Sequence, residues 1–410
     1  MTVSGGHDRL AETVRIEGAR ILATLVRTVG SLQVAEDAVQ EAVLAALREW
    51  PRTGPPESPR AWLTVTARRK AIDIVRRENV RAGKERDGSE LMELETPDLP
   101  PDTVVRDDQL RLIFTCCHPA LSPDARVALA LRTLCGLSVP QVAAVLLTGE
   151  AAMAKRLTRT RQKIAAARIP YRVPGDAELP ARLAAVCGVV HALYTAGHAP
   201  LSGEAAVDVD VCAEAVRLAR LLHELLPDEP MPAAVLALLL LTDARRPARV
   251  DPAGEVVLLA DQDRSRWDAE LIAEGVAALN FSLRRTGSVA DPYQLQAAIA
   301  AEHDRVPSYP ATDWAEIVRL YDLLLGVAPT PAAELSRAVA VAELRGPGEG
   351  LAALESIQPD HRWHAVRAEL LARLGRFAEA VESVTASLAG ELTAAERRYR
   401  ERRLADWAGR

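Results

Sequence analysis

Aromatic residues are scarce: three Phe, six Tyr and six Trp make up 4% of the 410 residues. Sheets draw heavily on aromatic and β-branched side chains, so this composition favours helix. No stretch alternates apolar and polar residues over the length of a strand. Cysteine is sparse too. Five residues, Cys116, Cys117, Cys135, Cys187 and Cys212, are an odd number and cannot form a fully paired disulfide framework. They fit a reducing compartment such as the cytoplasm. No apolar run reaches the roughly 18 residues that cross a bilayer; Ala233 to Leu241 falls well short. Nothing reads as a signal peptide. There is no Gly-rich phosphate loop, no HExxH, no CxxC and no GxSxG, so the sequence gives no basis for an enzyme, a metal or a cofactor. Cys116-Cys117-His118 is expected to be packing, because adjacent cysteines do not readily ligate one ion.

What is present is Ala, Leu, Arg and Glu, with 49% hydrophobic residues, enough for two or three helical domains. The net charge of −6 by itself argues against a nucleic-acid partner, but the distribution of that charge argues for one. Residues 1–172 carry +5 and residues 173–410 carry −11. Such asymmetry points to a polyanion partner for the first part, although two domains with a chance imbalance would look the same.

The stretch from Ala35 to Glu78 organises that first part. It reads as two amphipathic helices joined by a proline-rich loop from Pro51 to Ser58. The first is expected to bury Val39, Val43, Ala46 and Trp50 and to expose Asp37, Gln40, Glu41 and Arg48. The second begins after Ser58-Pro59, buries Leu63, Ala67, Ala71, Ile72 and Val75, and carries Arg68, Arg69, Lys70, Arg76 and Arg77. Downstream, residues 87–102 are acidic and proline-bearing, as in a linker. Beyond them, Ser138 caps a short helix, and a Thr148-Gly149 turn leads into Glu150 to Ala167, a helix-turn-helix pattern. Its second helix buries Met153, Leu157 and Ile164. It is expected to expose Lys155, Arg156, Arg159, Arg161 and Lys163, against the single acid Glu150.

AEDAVQEAVLAALREW and PRAWLTVTARRKAIDIVRRE resemble the second region and the promoter-melting helix of sigma-70-type initiation factors of the extracytoplasmic-function kind. TCCHPALSPDARVALALRTLCGLSVPQVAAVLLTGEAAMAKRLTRTRQKI resembles the fourth region of a subgroup with a long helical tail. HALYTAGHAPLSGE and DPYQLQAAIAAEH resemble that tetratricopeptide-like tail, though relatives usually carry an aromatic residue where His198 stands. The resemblance implies an all-α chain: region 2 over 8–86, an acidic linker over 87–106, region 4 over 107–172, and a helical extension over 178–408. It implies core RNA polymerase and promoter DNA as partners. Asp37, Gln40 and Glu41 would face the polymerase. Arg52, Trp62, Arg68, Arg69, Arg76 and Arg77 would hold the melted −10 element, with a base pocket in the Arg52 to Ser58 loop. Glu150, Lys155, Arg156 and Arg159 would read the −35 element. The linker would lie in a basic channel of the polymerase. The extension would contact the sigma domains and regulate them.

A second reading stays open, an ordinary helix-turn-helix regulator fused to a helical-repeat scaffold. The polar face around Asp37 separates the two, since such a regulator has no use for a polymerase-binding surface. Within the tail, Gly346 and Gly375 stand 29 residues apart in similar helix-Gly-helix contexts, a weak repeat near the usual period of about 34.

Overall fold

A computed structural model describes residues 3–82, 102–146, 148–200, 203–287 and 289–410. Among the described residues there is no strand, only one isolated bridge between Val250 and Val256. The chain divides into two compact units, 1–189 and 190–410.

In the first unit α1 (Val3–Val29), α2 (Leu32–Thr53) and α3 (Pro59–Ala82) pack on one another. The expected core of α3 is buried at all five positions, Leu63, Ala67, Ala71, Ile72 and Val75. On α2 the buried stripe is instead Ala35, Ala38, Ala42, Ala46 and Trp50. Alanines let neighbouring helices approach closely, so Val39 and Val43 are displaced to a half-buried edge. Pro51 does not end α2, contrary to expectation. It lies in the last turn, where its ring forfeits a single i→i−4 bond. Gly54, at φ 78, stops the helix with its N–H on the Trp50 carbonyl. The connecting loop is therefore only Gly54 to Ser58, and Arg52 is helical.

The acidic linker lies mostly outside the described residues. Its last five positions, 102–106, are already helical and open α4 (Asp102–Cys116), which packs on α1. Leu110, Leu112, Ile113 and Phe114 are buried there, as are Cys116 and Cys117, whose thiols burial pushes up, Cys117 to about 12. Both therefore stay protonated and act as packing. The helices α5 (Pro123–Thr133), α6 (Val139–Val145) and α7 (Glu150–Ala166) complete the module. Ser138 and Gln141 form a reciprocal capping box at the start of α6.

The boundary falls inside α8 (Leu179–His198); the second unit takes its C-terminal part, then α9 (Val209–Leu225), α10 (Pro230–Asp243), α11 (Ala269–Arg285), α12 (Pro292–Asp304), α13 (Trp314–Val327) and α14 (Pro331–Arg345). It closes with α15 (Pro347–Leu354), α16 (His361–Arg373), α17 (Phe377–Ser387) and α18 (Ala394–Ala408). The apolar run Ala233 to Leu241 forms α10, buried on every side. Further on, each core cluster shares a helix with the next: α12, α13 and α14, then α14, α15 and α16, then α16, α17 and α18. Nearest-neighbour burial of this kind is how helical repeats stack. Gly346 and Gly375 both take positive φ, 97° and 77°, at corresponding hairpins. The array then turns back on itself. Ala394 of α18 donates to the Gly203 carbonyl at 2.8 Å, and Arg398 and Arg402 both pair with Glu255. The His198 ring stacks on the Tyr194 ring with centres 5.3 Å apart and meets Arg249 through Nε2 at 2.5 Å. Among the described residues, α8 alone is long and apolar enough to cross a membrane.

Candidate nucleic-acid interface

The α6–α7 pair presents the helix-turn-helix. Lys155, Arg156, Arg159 and Lys163 line an open groove between α7 and the start of α5, with Leu121, Ser122 and Ala125 as its floor. Lys155, Arg159 and Lys163 are exposed and Arg156 is half-buried. Among the described residues none of these four forms an ion pair, so their charge is available to an anion. Glu150 lies apart from them, at the exposed N-terminus of α7.

Arg161 does not belong with them. Its side chain is 15% exposed and stands 2.6 Å from Glu36 of α2. The expectation that Arg161 is exposed is thus corrected. The α7 wheel turns it away from the groove, toward a carboxylate that arrives from another module.

On the other module, Asp37, Gln40 and Glu41 share one side of α2. Gln40 and Glu41 are exposed, while half-buried Asp37 accepts from Gln33 at 3.1 Å. Glu41 lies 3.4 Å from Lys70 of α3, so the acidic face of α2 and the basic helix adjoin. Arg69, Arg76 and Arg77 are exposed along α3, and Arg52 is exposed at the end of α2. Arg68 is half-buried, its guanidinium held below the usual arginine range by burial and then by neighbouring Arg27. Trp62 is half-buried, edge-on to buried Trp50 with ring centres 5.5 Å apart. The two groups of basic residues therefore sit on separate modules.

Sequence reasoning missed Glu36, Arg161 as its partner, Asp108 and Tyr171. Glu36 did leave a signal. It stands four residues after Leu32 and three before Val39, on the apolar stripe itself, where a carboxylate demands a partner.

Residues 14–81 match the Sigma-70 region 2 family and residues 111–164 the Sigma-70 region 4 family. Residues 182–283 match a family of unknown function, DUF6596. An uncharacterized protein of Rhizobium meliloti is 41% identical over 97% of this chain and 95% of its own length. The probable ECF RNA polymerase sigma factor SigI of Mycobacterium tuberculosis is 29% identical over 41% of this chain and 58% of its own. SigJ of the same organism, an ECF RNA polymerase sigma factor, is 32% identical over 38% and 49%.

The chain belongs to the extracytoplasmic-function sigma factor family.

No solved structure matches it at a significant level. The family is one of transcription initiation factors, not enzymes. In this sigma factor region 2 is the α1–α3 module and region 4 the helix-turn-helix module. The match to the Rhizobium meliloti protein runs over nearly the whole chain and so includes the extension, whereas SigI and SigJ match less than half of it.

Proposed function

We propose that this sigma factor joins core RNA polymerase and directs initiation at bipartite promoters. The observation that carries this reading is the unpaired basic groove of α7, on a module distinct from the basic face of α3. Lys155, Arg156 and Arg159 contact base edges and phosphates of an upstream duplex, with Glu150 placed to accept from a cytosine. Arg52, Arg68, Arg69, Arg76 and Arg77 neutralise the backbone of a melted downstream strand, and Trp62 supports an unstacked base beside the Gly54 to Ser58 loop. Opening needs no ATP, because binding energy drives it. Asp37, Gln40 and Glu41 are the polymerase-docking face. The acidic extension regulates exposure of the sigma modules. Localisation is with the transcription machinery, in the cytoplasm.

Co-purification with core polymerase tests the docking face. The tagged chain retains polymerase, and Asp37→Arg loses it. Retention by the variant equal to the parent removes Asp37 from the interface.

A further inference from the structure

Several buried polar contacts of the first unit join its two modules to each other. Glu36, 6% exposed on α2, accepts the Thr133 hydroxyl of α5 at 2.9 Å through Oε1. Its Oε2 lies 2.6 Å from Arg161 Nε on α7 but off the line of a hydrogen bond, so that attraction is Coulombic in a medium of low dielectric. The buried Cys116 thiol borders the pair. At a second point, the Tyr171 hydroxyl lies 2.7 Å from the Ala23 carbonyl of α1 and 3.0 Å from the Asp108 carbonyl of α4. Burial pushes this phenol up, so its single proton stays and is shared between the two carbonyls. Fully buried Asp108 in turn takes Arg27 of α1 at 2.9 Å.

Tyr171 is carried on the strap that leaves α7 and enters α8. Ile169 and Pro174 of the strap are buried beside it. Immediately beyond, Arg182 of α8 donates to the Phe114 carbonyl at 2.6 Å and lies over the Phe114 ring. The strap is thus tied to region 2 and to α4 at the place where the extension begins.

We propose that Glu36 and Tyr171 are the two points of a clasp that holds region 4 shut against region 2, and that the extension works this clasp through the Tyr171 strap. The inference rests on the sigma factor reading. Elements named for positions −10 and −35 lie about 25 base pairs apart, roughly 85 Å at 3.4 Å per pair. Two modules whose α2 and α7 are in ion contact cannot reach both, so this state must open before promoter binding. The chemistry suits release. An apolar seal of equal size would hold as well or better, but a charge pair and a hydroxyl regain water when parted. Glu36 also neighbours Asp37, so polymerase docking on that face falls next to the first clasp point.

Distance measurement between spin labels at Glu49→Cys and Gln162→Cys on the full-length chain tests this; both sites are exposed and the five native cysteines are buried. The parent gives a short, narrow distance that lengthens on adding core polymerase. Glu36→Gln and Tyr171→Phe, which nearly keep volume and remove one charge and one hydroxyl, give long distances without polymerase. If the closed form is about 90% of the free chain, release tightens polymerase binding roughly tenfold. The double change Glu36→Arg with Arg161→Glu restores the short distance. A parent that is already extended, or variants with parental distances and parental helicity, overturns the clasp. Neither result bears on initiation itself, which run-off transcription reads separately.

Discussion

Glu36 and Arg161 show what a single side chain decides. Removing one member of a buried ion pair leaves an uncompensated charge and costs about 3–5 kcal/mol, whereas replacing both with apolar residues is near neutral. In a pair between two modules that can part, that penalty is relieved by opening, so Arg161→Met alone is expected to give the long spin-label distance, and Glu36→Leu with Arg161→Met to keep the short one. In the extension, Asp304 and His303 are adjacent on α12 and shift in opposite directions. Burial raises Asp304 to about 6 despite Arg245 and Arg264, and burial with those two arginines lowers His303 to about 3. The raised carboxyl binds a proton more readily folded than unfolded, so its contribution to stability falls as pH rises from about 4 to about 6. The lowered imidazole does the reverse between about 3 and 6.5, so the two effects oppose. In Asp304→Asn the histidine contribution stands alone. Hydrogen-exchange protection of α12 then rises more steeply from pH 4 to pH 6 than in the parent; equal slopes would contradict the assignment. Buried charges of this kind were the least legible in the sequence. A helical wheel showed Arg161 on a polar side of α7, yet nothing in α7 named the carboxylate, 125 residues upstream, that covers it.

Elements were far more legible than their faces. The helix-turn-helix, the Ser138 cap and the core of α3 follow from spacing and turn residues, because those signals are local. The end of α2 was misplaced at Pro51, since a proline in a final turn costs one bond and tertiary packing of Trp50 outweighs it. The α2 stripe was shifted by the alanines, which carry almost no periodic signal yet set how closely helices approach. At this scale Arg159→Ala is expected to weaken DNA binding by α7 and to reduce the slope of log affinity against log salt by about 1, as for one lost phosphate contact. An unchanged slope would place Arg159 off the backbone. In the extension, a Cβ at Gly350 would collide with Ala342 of the facing helix. Gly350→Val should therefore spread α14 from α15 and cost about 1–3 kcal/mol, read as a lower melting temperature of the extension. A variant that melts with the parent would mean that the hairpin is looser than its packing indicates.

At the scale of the molecule, the order of a basic helix, an acidic segment, a helix-turn-helix and a helical tail was readable from composition and resemblance. The return of α18 to Glu255 and Gly203 was not, because its ion pairs join residues some 143 positions apart and no local pattern encodes them. What unites the chain is the division of positive charge between two modules of one initiation factor. Run-off transcription with core polymerase and the full-length chain, followed by mapping of transcript starts, tests that most directly. Discrete starts that core polymerase alone does not make, and that Lys155→Ala with Arg159→Ala abolishes, are the predicted result. Transcripts identical with and without the chain would contradict it.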